Sequence, residues 1–95
     1  MLSVHNVIEA ATISTKIIDS YMSNGGTFTA TRLGATIYNG SNKTMYIKLG
    51  SGASKDAYTL PLLPGGYWEV PESFKGQVFA VWGNGCEGSA QVTEW

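Results

Sequence analysis

Short alternating runs separated by turn residues organise most of this chain. Thr44-Met45-Tyr46-Ile47-Lys48-Leu49 sets Met45, Ile47 and Leu49 on one face and Thr44, Tyr46 and Lys48 on the other. A period of two marks a half-buried strand. Ala35-Thr36-Ile37-Tyr38 precedes it, with Asn39-Gly40-Ser41-Asn42-Lys43 between. These turn formers predict a hairpin. Ala57 to Leu63 reads as a further strand, and Pro61 confines it to an edge or an early end because proline lacks an N–H donor. Pro64-Gly65-Gly66 predicts a turn into Tyr67-Trp68-Glu69-Val70, which Pro71 closes. Gly76 to Trp82 is apolar on both faces, as in a central strand or one covered by a partner. Ser89 to Trp95 alternates again, after the loop Gly83-Asn84-Gly85-Cys86-Glu87-Gly88.

The first 24 residues differ, because all glycines and prolines lie at or after Gly25. Val4, Val7, Ile8 and Ala11 stand at helical spacing, as do Ile17, Ile18, Tyr21 and Met22. The β-branched run Thr12 to Ile18 argues instead for a strand. The reading adopted is an N-terminal arm over residues 1–11, a strand over 12–18, a loop over 19–26 and a short extended piece over 27–32. Residues 12–95 then form one small all-β domain, an antiparallel β-sandwich or jelly-roll-like barrel carrying the arm. Leu2, Val4, Val7 and Ile8 give the arm an apolar side suited to docking on a neighbouring subunit or on a larger assembly.

Composition narrows the function classes. Ninety-five residues make one domain. Charged residues are 14%, against 43% hydrophobic, so part of the surface is expected to be covered. A net charge of −1 leaves no electrostatic footprint for nucleic acid. No apolar run is long enough for a membrane span, and residues 1–5 have no signal-peptide pattern. The single Cys86 excludes an intrachain disulfide and a Cys-pair zinc site, and fits synthesis in a reducing cytosol.

No catalytic constellation emerges. Glu69 and Glu72 flank Pro71 at a surface turn and read as solvated acids. His5 lies in the arm, where a base is not held rigidly. Cys86 has no basic neighbour in sequence to lower its pKa. Gly50-Ser51-Gly52 and Gly83-Asn84-Gly85 precede no helix and lack the Lys-Ser/Thr of a phosphate loop. Asn39-Gly40-Ser41 and Asn42-Lys43-Thr44 match the glycosylation sequon but read as loop composition. The expectation is no catalytic residue, no metal and no cofactor. The aromatic residues are more informative. Trp82 and Phe79 belong to the core strand. Tyr67 and Trp68, beside a Gly-Gly turn, fit a sugar-stacking platform or a protein interface. With Ala90 and Val92 facing the core, Trp95 faces out as a subunit contact.

Three blocks in order carry a resemblance. Ala35-Thr36-Ile37-Tyr38-Asn39 with Met45-Tyr46-Ile47-Lys48-Leu49-Gly50 is the first. Pro64-Gly65-Gly66-Tyr67-Trp68-Glu69-Val70-Pro71 is the second. Phe74 to Trp82 followed by Ala90-Gln91-Val92-Thr93-Glu94 is the third. Over residues 35–95 the chain resembles small β-sandwich virion proteins of tailed bacteriophages. The resemblance implies a structural, non-enzymatic role as a capsid decoration or cement protein, with a carbohydrate-binding or host-adhesion accessory as the alternative. It implies the major capsid protein as partner, a homo-oligomer with a trimer favoured, and a place on the capsid surface after synthesis in the host cytoplasm. The candidate interface residues are Leu2, Val4, Val7, Ile8, Tyr67, Trp68 and Trp95.

Overall fold

The computed structural model describes residues 4–19, 34–71, 73–74 and 76–95. Eight strands follow in chain order: β1 (Val4–Glu9), β2 (Thr15–Ile18), β3 (Ala35–Asn39), β4 (Met45–Leu49), β5 (Leu60–Leu62), β6 (Tyr67–Val70), β7 (Val78–Trp82) and β8 (Ser89–Glu94). Among the described residues there is no helix. The strands form two antiparallel sheets, β1-β8-β3-β6 and β2-β7-β4-β5. The all-β reading and the sandwich hold.

The pairing is nested. β1 pairs with β8, β2 with β7, β3 with β6 and β4 with β5; the contacts β8–β3 and β7–β4 complete the sheets. One long doubled hairpin wrapped into two layers gives this order, which is that of a jelly roll. Among the described strands, only β4 and β5 are consecutive neighbours within one sheet; every other consecutive pair lies in opposite sheets.

Two expectations are corrected here. Ala35–Tyr38 and Thr44–Leu49 do not form a hairpin: β3 lies in one sheet and β4 in the other. Both strands have a buried face, and placing them on opposite walls turns Ile37 toward the same interior as Met45 and Ile47. The 40–44 connection spans the roughly 10 Å between packed sheets instead of turning back. The segment read as an arm is also part of the sandwich. Residues 4–9 run along β8 with uninterrupted pairing from Val4↔Glu94 to Glu9↔Ser89. Ladder hydrogen bonds satisfy a backbone that an arm would leave to water.

The edges behave as proline chemistry requires: β5 carries Pro61 at the rim of its sheet. β7 lies inside its sheet, with Val78, Ala80 and Trp82 in the core. On its other face Val81 is 5% exposed, so that apolar second face is covered within the chain's own fold there. The expectations for residues 20–32, Leu2 and Glu72 fall outside the described residues.

The interior is mostly apolar; among the described residues the buried polar side chains are Asn39, Ser41 and Glu94. Ile17, Ile18, Ile37, Met45, Ile47, Val78, Trp82 and Val92 fill it. Each buried aliphatic side chain contributes about 1.5–3 kcal/mol relative to exposure. Asn39 is fully buried among them. Its Nδ2 donates to the carbonyls of Lys43 (2.9 Å) and Leu62 (2.8 Å). Its Oδ1 accepts from Ser41 N (3.0 Å), Ser41 Oγ (2.7 Å) and Trp82 Nε1 (3.4 Å). Its backbone N–H donates to Gly66 O and its carbonyl accepts from Gly65 N. One side chain thus ties both the β3–β4 crossing and the Pro-Gly-Gly crossing from β5 to β6. Among the described residues every buried side-chain polar atom has a partner.

Candidate functional surface

The outward positions of the β1-β8-β3-β6 sheet follow from register. In β8, Ala90 and Val92 are buried, so Gln91, Thr93 and Trp95 point away from the core. Val7 pairs with Gln91, Gln91 with Tyr38 and Tyr38 with Tyr67, which places the four side chains in one row across all four strands. Val7 is 60% exposed, Tyr38 44% and Tyr67 72%. The next row is polar: His5, Thr93, Thr36 and Glu69. Flat outer faces of this kind present apolar rings and short polar groups together.

A side-chain chain of hydrogen bonds orders one end of this face. His5 Nε2 lies 2.6 Å from Gln91 Oε1, and His5 Nδ1 lies 3.0 Å from Thr93 Oγ1. An amide oxygen only accepts, so Nε2 donates to Gln91 and Nδ1 accepts from the Thr93 hydroxyl. His5 therefore spends both ring nitrogens on its own sheet and orients Gln91 beside Tyr38.

The sequence-expected residues divide between the two faces. Val7, Tyr67 and Trp95 point outward; Val4, Ile8 and Trp68 point inward, with Ile8 and Trp68 packed against the core. Tyr67 and Trp68 do not form one platform, because consecutive strand residues face opposite sides. The ring beside Tyr67 is that of Tyr38. Trp95 is half-buried and lies over Gly34: a Cβ on Gly34 would sit 2.7 Å from its ring. The two residues exchange backbone hydrogen bonds, Gly34 N to Trp95 O at 3.1 Å and Trp95 N to Gly34 O at 3.0 Å.

Reactive groups do not converge. Among the described residues, no group of three His, Cys, Asp or Glu side chains could hold a metal ion. Glu69 is exposed on the outer face, and Cys86 is a half-buried free thiol against the core. Asn42, in the second sequon, accepts from Glu87 N at 2.7 Å and braces the 83–88 loop. Tyr38 and Asn39 are what residue-by-residue reading missed. Tyr38 was legible as the outward neighbour of Ile37. Asn39 had one signal, an amide closing an apolar strand just before Gly-Ser.

Comparison with known proteins gives no matching family model, no matching curated protein and no matching solved structure.

Proposed function

We propose that the chain is a structural virion protein of a tailed bacteriophage: an oligomeric decoration or cement protein that binds the major capsid protein on the outside of the head. The observation that carries the reading is the row Val7, Gln91, Tyr38 and Tyr67, which holds apolar and aromatic side chains in water on a protein with few charges. Aromatic side chains are enriched where protein surfaces meet. The three sequence blocks similar to virion proteins supply the setting, and they include Tyr38 and Tyr67. A cement protein needs no reactive centre; it acts by adding contact across joints between capsid subunits.

The test is co-sedimentation with capsids assembled from the major capsid protein of the same genome. The wild-type chain is expected to pellet saturably, and a folded Tyr38→Glu/Tyr67→Glu variant to remain in the supernatant. A wild-type chain that never pellets removes the decoration role. Equal pelleting of both moves the docking surface away from this face. The second reading, a carbohydrate-binding accessory, is favoured by the adjacency of Tyr38 and Tyr67 beside the Gln91 amide, since sugars stack on rings and bond to amides. Saturable heat on titration with bacterial surface glycans, abolished in the same variant, would select it.

A further inference from the structure

The four sheet edges are not equally protected. An edge strand offers unpaired N–H and C=O groups to any other strand, and proteins blunt this with proline, bulges, charges or brevity. β5 is three residues long and contains Pro61. β6 has four residues between Pro64-Gly65-Gly66 and Pro71. β2 has four residues, carries Lys16 and breaks register between Lys16 and Ile18. β1 is the exception in length and continuity: six residues, no proline and no bulge, with Glu9 its one acidic side chain and at its end. Among the described residues no strand pairs with its outer side.

The backbone polarity of β1 can be read from its neighbours. Ala10 N donates to Gly88 O at 3.0 Å, one step beyond the Glu9↔Ser89 pair. On the far side of β8, Gly40 N donates to Ser89 O, and Gly34 and Trp95 exchange bonds. Even-numbered residues of β8 therefore bond to β1 and odd-numbered ones to β3, as antiparallel alternation requires. It follows that Val4, Asn6 and Ile8 spend their backbone groups on β8. His5, Val7 and Glu9 turn theirs to the open edge.

We propose that this edge pairs with the β1 edge of a second copy, antiparallel about a two-fold axis through Val7, joining two four-stranded sheets into one of eight strands. The register is fixed by the chain itself. A two-fold axis perpendicular to the sheet keeps outward residues opposite outward residues, so only axes through a residue are allowed. The axis through Val7 sets Val7 against Val7 and His5 against Glu9 of the second copy, twice. Every open backbone group of His5, Val7 and Glu9 then has a partner. An axis through Asn6 pairs only His5 with Val7 and leaves Glu9 without a described partner; an axis through His5 leaves both Val7 and Glu9 so; an axis through Ile8 sets His5 against Ala11, whose carbonyl already accepts from Trp82 N at 2.9 Å. The chosen register also keeps the two Glu9 carboxylates apart, where an axis through Glu9 would set them face to face, and like charges directly opposite are unfavourable. A second copy is the fitting occupant because one edge supplies both halves of these pairs, the self-complementarity that a two-fold interface demands. The apolar outer row becomes continuous through the join, from Tyr67 of one copy to Tyr67 of the other. This inference rests on the edge alone and not on the virion reading.

Sedimentation equilibrium of the full chain up to about 1 mM tests it, since a join of one strand pair falls below the standard interface size and binds weakly. A monomer–dimer equilibrium is expected; a monomer throughout, or the trimer that the family resemblance implies, overturns it. Val7→Lys sets two like charges face to face and is expected to weaken dimerisation at least about tenfold with the fold retained. Register is read by oxidation of single-cysteine variants made with Cys86→Ser. Hydrogen-bonded antiparallel partners stand about 5.5 Å apart at Cα, within disulfide reach, so Val7→Cys is expected to cross-link as a dimer. Glu9→Cys places its two thiol-bearing residues about 13 Å apart along the strands and is expected not to. Equal cross-linking at both positions, or cross-linking at Glu9 alone, overturns the register and with it the proposal.

Discussion

Asn39 shows how one buried amide can hold a small sandwich together. Its two donors and its oxygen serve Lys43, Leu62, Ser41 and Trp82. Leaving a buried polar group without its partner costs about 1–3 kcal/mol each. Asn39→Ala strands several, so a loss of about 3 kcal/mol or more is expected in urea unfolding. Asn39→Asp is the sharper test. It keeps the shape and the acceptor but turns a second oxygen, and a charge, on two carbonyls. It is expected to cost at least as much as the alanine. Two tryptophans offer a second comparison. Trp82 is 1% exposed in the centre of the core, and Trp82→Ala is expected to cost about 3–5 kcal/mol. Trp95 lies half-buried on the outer face over Gly34, so Trp95→Ala is expected to cost less than half of that. Thermal midpoints resolve the difference, since each kcal/mol moves a domain of this size by about 4–8 °C.

At the scale of elements, the connections decide the architecture. Gly88 enters β8 with φ at +106°, and a Cβ there would lie 2.9 Å from both Gly40 O and Ser41 Cα. The left-handed backbone and the close approach act together. Gly88→Ala is expected to destabilise by about 2 kcal/mol or more, from the dihedral and the contact together. Gly65 also has a positive φ, +83°, but open space around it. Gly65→Ala is expected to lose about half as much, so the difference between their urea midpoints isolates the contact from the dihedral. Strand positions were legible in the sequence because alternation is a local property: Met45, Ile47, Ala90 and Val92 are buried as their period predicts. Which sheet a strand joins is not local. The turn formers between Ile37 and Met45 fit a hairpin or a crossing equally well, and only the facing wall of the core decides. The outer row was illegible for the same reason. Val7, Tyr38, Tyr67 and Gln91 come together only through pairings between strands far apart in the chain.

For the whole molecule, β8 is the strand on which the sandwich depends most. It is bonded on both sides, to β1 and β3, and sends Ala90 and Val92 into the core. A chain ending at Gly88 leaves two strands without their shared neighbour. It is expected to lose cooperative thermal unfolding and near-ultraviolet circular dichroism altogether. A chain beginning at Ala10 loses only the edge strand, with Ile8 its principal core contact. It is expected to remain folded with a lowered midpoint.

The nested order of the strands also sets a timetable. Among the described strands, β4 and β5 are the only pair that can close soon after they are made; β1 must wait for a partner that begins at Ser89. On a ribosome adding about 5–20 residues per second, β1 is made several seconds before its described partner Ser89–Glu94. Closing loops of that length before any reward is slow, so refolding on the millisecond-to-second scale follows for this topology. During that interval β1 is without its described partner strand. Its hazard in the cell is therefore greatest before β8 is made, and a delay in translating Ser89–Glu94 would raise the yield of aggregates without changing a single native contact.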